Sequence, residues 1–238
     1  MKKKKQYNLK DIKLVSFDFW NTLIFNKDPL HTIMKKAKAL SKLTGVGREI
    51  AYQVIERIEK QTEKEREEKM KEISSEEVSK RIVLAIDNPR VHGEFKKIYD
   101  GIVENAPLKL EETAVKTLDR LKQNNKKIAI LSNTSHGYVL KKILENKGVI
   151  QYFDFLIFSD EVTYRKPHPF IFSKLVELSG IKPQEIIHVG DRCDLDVEGA
   201  KNAGFLTGWY TQQEKDGCNG YDFKIKKLED LINILKLV

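Results

Sequence analysis

The sequence predicts an α/β protein: a three-layer core built on a parallel sheet, with an all-helical cap domain inserted after the first strand. Three observations carry that prediction. The run "LVSF" before Asp18 is short, apolar and without helical period, as a buried strand is. From about Asn26 to Pro107 the periodicity is helical throughout. From Leu108 onward, helical segments and short apolar runs alternate, the pattern of a parallel sheet covered on both faces. The organisation read from this is a basic N-terminal tail over 1–13, a core domain over 14–25 and 108–238, and a cap over 26–107.

Within the cap, "IMKKAKALSKL" places Ile33, Ala37 and Leu40 on one face, and "REIAYQVIERIEK" does the same with Ile50, Val54 and Ile58. The run "EKQTEKEREEKMKE" is nearly all charge, with Glu65–Lys69 and Glu67–Lys71 at the i,i+4 spacing of a solvated helix. A capping box, Ser74 to Glu77, opens the next helix ahead of Val78, Ile82 and Ile86. "NPRVHGEFKKIYDGIVENAP" closes the cap as one further helix. In the core the strands are "KKIAILSN", "FDFLIFSD", "EIIHVGD" and "FLTGWY", separated by helices, with "LEDLINILKL" as the last helix. Phe153, Phe155, Phe158, Phe170 and Phe172 are expected in the core.

Composition excludes several classes. No segment approaches 18 apolar residues, so no membrane span is expected; the start has a basic head, but the apolar run after it contains Asp18 and Asn21 and lacks a small-residue cleavage site, so no signal peptide is expected. The net charge of +8 does not imply a nucleic-acid partner, because residues 1–13 hold six lysines against one acid. Two cysteines, Cys193 and Cys218, do not make a disulfide framework, and reduced thiols in a cytoplasmic protein are the expectation.

Asp18 sits where an apolar strand ends, and a buried carboxylate costs several kcal/mol unless a cation joins it. In open parallel sheets, ligands bind at the carboxyl ends of the strands. The residues that follow the predicted strands are Asp18; Ser132 and Asn133; Lys166; and Asp191, Asp194 and Asp196. Clustered carboxylates cannot all ionise without a cation, and an oxygen-only set suits Mg²⁺. Lys166 can hold a phosphoryl group and keep a nucleophilic carboxylate ionised, while Ser132 and Asn133 offer neutral donors to its oxygens.

These marks, "FDFWNTL", "LSNT", "RKPHP" and "HVGDRCDLDVEGAKNAG", resemble those of the haloacid dehalogenase-like (HAD) superfamily, in its helical-cap subgroup. Their anchors stand 114, 34 and 25 residues apart, and the likeness covers nearly the whole chain. It implies a Rossmann-like core. It further implies Asp18 as nucleophile and metal ligand, the Trp20 carbonyl as a second ligand, Ser132 and Asn133 on phosphate, and Lys166 on nucleophile and phosphate. Asp191 would hold Mg²⁺ and Asp196 support it, with Asp194 ranked below. The substrate implied is a small phosphorylated molecule, and the assembly a monomer or homodimer.

The departure from the family pattern is Trp20, where its phosphatases usually have a second Asp as general acid. Indole cannot fill that role, and the help lost is about 10²–10⁴ in rate, or roughly 3–5.5 kcal/mol. His31, His92 and His136 are conceivable replacements, each expected instead as an ordinary surface or helix histidine. Two other readings stay open. An aromatic two places after the nucleophile also resembles the 2-haloacid dehalogenases, and loss of the acid is compatible with a phosphate- or partner-binding protein.

Overall fold

The computed structural model describes residues 9–212 and 217–237. Of the stretch expected as a tail over 1–13, residues 1–8 lie outside the described residues. Leu9–Asp11 form one tight turn, Ile12 is buried, and the Lys13 N–H donates to the Glu185 carbonyl (2.8 Å), so the basic segment joins the core before it reaches the first strand.

The chain runs β1 (Leu14–Phe17), β2 (Ile24–Asn26), α1 (Pro29–Thr44), α2 (Arg48–Lys69), α3 (Ser75–Leu84), α4 (His92–Glu104) and β3 (Leu108–Leu110). It continues α5 (Ala114–Gln123), β4 (Lys127–Ser132), α6 (Gly137–Asn146), β5 (Phe155–Phe158), α7 (Ser159–Val162) and α8 (Pro169–Ser179). The last elements are β6 (Ile186–Gly190), α9 (Glu198–Asn202), β7 (Leu206–Tyr210), β8 (Phe223–Ile225) and α10 (Asp230–Ile234). Six strands form a parallel sheet in the order β5-β4-β1-β6-β7-β8. All four residues of β1 are buried, because apolar clusters cover the sheet on both faces.

Register fixes where the chemistry stands. Phe17 pairs with Ile130 of β4 and Val189 of β6, so Asp18 emerges level with Leu131 and Gly190 at the centre of the rim. The chain order reverses at β1, which brings the ends of β4 and β6 to either side of it.

The cap helices α1–α4 pack around a cluster of their own that includes Leu40, Ile55, Ile82 and Phe95. Ser74 caps α3, accepting from the Glu77 N–H. Several sequence expectations change here. β2 and β3 pair antiparallel where the chain enters and leaves the cap, a ribbon too short to show periodicity. β8, also three residues long, escaped for the same reason. Of the expected stripe on α2, Val54 is buried and Ile58 packs against the cap cluster, but Ile50 is 55% exposed and Ala51 and Ile55 take the inner positions beside Val54. The final cap helix begins only at His92, after a separate turn over Pro89–Val91. Phe170, at the start of α8, is exposed, its ring tilted against Tyr164 (5.0 Å).

The two cysteines are not reduced thiols: Cys193 and Cys218 form a disulfide. Cys193 follows β6 and Cys218 precedes β8, and these strands flank β7, which brings the two Cα atoms within 5.4 Å. Among the described residues no helix is long and apolar enough to cross a membrane.

Candidate active site

Lys166 is the centre of the rim. Its Nζ donates to Asp18 Oδ1 (2.7 Å), Asp196 Oδ1 (2.6 Å) and the Leu131 carbonyl (2.7 Å), which uses all three ammonium protons. The side chain is 2% exposed. Asn133 sets its backbone: Asn133 Oδ1 accepts from the Lys166 N–H (2.7 Å), and Asn133 Nδ2 donates to the Lys166 carbonyl (2.9 Å). The loops after β4 and β5 are thereby locked together.

Asp196 is held from every side. Besides Lys166 it meets His188 Nε2 (3.1 Å) through Oδ1, and its Oδ2 accepts from the Arg192 N–H (2.9 Å). His188, inside β6, contacts Ser16 Oγ of β1 through Nδ1 (2.8 Å). Sequence reading missed this histidine because it sits within an apolar strand run. Asp196 reaches the rim from a wide turn over Cys193–Val197 that lies against Gly190. A Cβ on Gly190 would stand 2.2 Å from Asp196 Cγ, so only glycine fits there. Burial opposes the charge on Asp196, but Lys166 and His188 outweigh it and hold the carboxyl well below the usual range.

Asp18 and Asp191 behave oppositely. Burial pushes Asp18 up to about 7 against the pull of Lys166, with Asp196 and Asp191 adding repulsion. Burial and Asp196 push Asp191 up to about 6. Carboxylate oxygens of Asp18, Asp191 and Asp196 lie within 4.8 Å of one another. This set fits a divalent cation: three hard oxygen donors converge, and two of them are short of positive charge. Both Asp196 oxygens are already bonded, Oδ1 to Lys166 and His188 and Oδ2 to the Arg192 N–H. Asp194 points away, in an exposed pair with Arg192 (2.7 Å).

Ser132 is buried at the end of β4, with its hydroxyl toward the Asn133 carbonyl (3.5 Å). Trp20 follows in a tight turn in which Asn21 adopts a positive φ of 55°, and its ring packs edge-on to Phe19 (4.9 Å). The indole borders a cavity of about 400 Å³ between core and cap, with Asn133, Ser135 and His136 on the core side and Thr32, Arg66 and Val103 on the cap side.

His136 is no surface histidine. It is buried, stacks on Tyr99 of the cap (5.5 Å), and has Nε2 3.5 Å from Asp100 Oδ1. Burial and Lys36 push it down to about 3, so it is neutral near pH 7. His92 lies apart, against Ser79 and Glu76. His31 lies outside the described side chains. The charged run of α2 is not wholly solvated either. Arg66 turns inward to Glu72, whose side chain is 1% exposed, and Glu63 pairs with Arg165 of the core (2.6 Å).

With this geometry established, comparison with known proteins identifies the kinship. A family model described as haloacid dehalogenase-like hydrolase matches residues 12–204. The chain belongs to that family. A glyceraldehyde 3-phosphate phosphatase of Pyrococcus furiosus is 34% identical over 128 residues, covering 52% of this chain and 53% of that protein. The chain thus spans about half the length of this relative. The pyrophosphatase PpaX of Bacillus cereus is 29% identical over 171 residues, 64% of this chain and 78% of its own. The crystal structure of a HAD phosphatase from Thermococcus onnurineus superposes with a TM-score of 0.70 at 25% identity, covering 94% and 98% of the two chains. A 2-haloacid dehalogenase of Pseudomonas syringae superposes at 0.71 with 20% identity over 94% and 98%, a likeness of fold.

Proposed function

We propose that this hydrolase is a Mg²⁺-dependent phosphohydrolase of small phosphorylated metabolites that uses Asp18 covalently. The observation that carries the reading is Lys166, buried and bonded to both Asp18 and Asp196 beside an Asp191 still short of positive charge. A divalent cation between Asp18 and Asp191 and an anionic substrate beside it would balance these charges. The printed names of its relatives, a glyceraldehyde 3-phosphate phosphatase and a pyrophosphatase, point the same way.

Asp18 and Asp191 would hold the ion, which supplies charge neutralisation on the transferring phosphoryl oxygens. Lys166, 2.7 Å from Asp18, pulls the carboxyl toward its charged form against burial and adds positive charge beside the reacting oxygen. An Asp18 oxygen forms a bond to phosphorus as the bond to the leaving-group oxygen breaks. Water then attacks phosphorus, releasing phosphate and restoring the carboxylate. Asn133 holds the Lys166 backbone throughout. Trp20 gives the leaving group no proton, so groups that leave as stable anions, aryl or acyl, are favoured over alkoxides.

The test is phosphate and halide release from p-nitrophenyl phosphate, acetyl phosphate, glycerol 3-phosphate and 2-chloropropionate, with and without Mg²⁺. Phosphate release is expected only with metal, fastest from the first two. Trp20→Asp is expected to raise the rate on glycerol 3-phosphate by about 10²-fold. Metal-independent halide release would instead make it a dehalogenase. Silence across the panel would favour a binding protein.

A further inference from the structure

We propose that Arg66 and Arg165 form a subsite for a second oxyanion on the substrate, and that Glu63 occupies it as an internal placeholder. The inference rests on the phosphohydrolase reading and narrows its substrate to a compact phosphate compound bearing a second anionic group, a carboxylate or another phosphate.

Four ionised groups meet where the cap touches the core. Arg165 Nη2 and Nη1 donate to Glu63 Oε1 (2.6 Å) and Oε2 (3.3 Å), a two-pronged grip. Arg66 Nη1 adds a bond to Glu63 Oε2 (3.1 Å). Glu72 stands behind them, with Oε1 2.7 Å from Arg66 Nε and Oε2 3.6 Å from Arg165 Nη1, and it accepts from Ser159 Oγ (2.6 Å). The two glutamates differ sharply in access. The Glu72 side chain is 1% exposed and fixed, whereas that of Glu63 is 44% exposed. Glu72 neutralises one guanidinium. If Glu63 leaves, one positive charge remains on a pair of forks shaped for carboxylate or phosphate. Arg66 Nε, buried, has no aligned hydrogen bond even now.

The position suits a substrate. Glu63, Arg66 and Arg165 border the cavity that holds Trp20 and Asn133, and also a second hollow of about 370 Å³ bordered by Lys166 and Arg192. The three residues therefore line both hollows at once. Arg165 directly precedes Lys166, so their Cα atoms are about 3.8 Å apart. Arg165 and Lys166 both border the second hollow, so a compact ligand there meets both residues.

The test is calorimetric binding of 3-phosphoglycerate and glycerol 3-phosphate, which differ by carboxylate against hydroxymethyl, with Mg²⁺ in an Asp18→Asn background where neither is consumed. The parent is expected to bind 3-phosphoglycerate about tenfold more tightly. Adding Glu63→Gln should widen that ratio by a further factor of about five, and Arg66→Gln should shrink it to within about twofold. Equal affinities in the parent, or a Glu63→Gln change that shifts both ligands by the same factor, would make Glu63 a cap clasp and overturn the subsite. Absence of phosphate release from p-nitrophenyl phosphate by the unmodified enzyme would sink the phosphohydrolase reading alone.

Discussion

Two ionic clusters, one at the strand ends and one where the cap meets the core, are built from the same residue types and do different work. In the inner cluster, Lys166, Asp196 and His188 are each at most 2% exposed, and every proton of the ammonium is spent. In the outer cluster, Arg66 and Arg165 are 12% and 11% exposed but share a glutamate that is nearly half open to solvent. A fully buried pair is costly to break, because what remains is an uncompensated charge. A pair with one exposed member exchanges partners with water and ions at little cost. The fold therefore keeps its rigid electrostatics at the nucleophile and its replaceable electrostatics where a substrate would extend.

The sharpest way to break the comparison is Asp196→Ala. It strips Lys166, His188 and the Arg192 N–H of a partner at once. A loss of about 3–5 kcal/mol is expected. For a chain of this size that is a fall in Tm of about 6–20 °C, read by thermal melts. A shift under about 3 °C would place the inner cluster in the same class as a surface pair.

A second measurement uses pH. Asp18 and Asp191 have folded-state values raised to about 7 and about 6, so the folded protein binds protons that the unfolded chain has released. Their contribution to stability is fully present below the ordinary carboxylate range and is lost as pH rises through 6 and 7. Asp196, held low, stays ionised over that window and adds nothing to the slope. Metal-free protein should thus lose Tm between about pH 4 and 7, and Mg²⁺ should restore most at pH 7 and above. Identical melting curves with and without Mg²⁺ at pH 8 would remove the metal from this rim.

The inner cluster, His188 excepted, was legible in the sequence and the outer one was not, for a physical reason. Asp18, Asn133, Lys166 and Asp191 each follow a strand or its loop in a sheet whose topology puts all strand ends on one rim, so locating the strands locates the residues. Glu63 and Arg165 lie 102 residues apart, and nothing local marks their meeting. A run as uniformly charged as "EKQTEKEREEKMKE" has no apolar stripe to say which side faces inward, and Arg66 was lost in it. The error at Ile50 of α2 has a related cause. Ala51 carries little hydrophobic signal but packs inward at 0% exposed, while the bulkier Ile50 stays outside. His136 and the disulfide likewise depend on contacts between segments distant along the chain.

The smallest expected effect is the most discriminating. Glu63→Gln removes the charge from the exposed member of the outer cluster while leaving Glu72 in place against Arg66 and Arg165. Burial raises the Glu63 carboxyl and Arg165 outweighs it, so the group is held below its ordinary range and is ionised at neutral pH. The attraction given up is that of a half-exposed pair, about 0–1 kcal/mol, or at most a few degrees in Tm. Salt should shrink even that difference, since the Debye length falls to about 3 Å at 1 M. Melts of Glu63→Gln and the unmodified protein at low and high salt check both statements. A loss above about 3 kcal/mol, insensitive to salt, would show that Glu63 is built into the fold as firmly as Asp196, and a residue that firmly held cannot give way to a substrate anion.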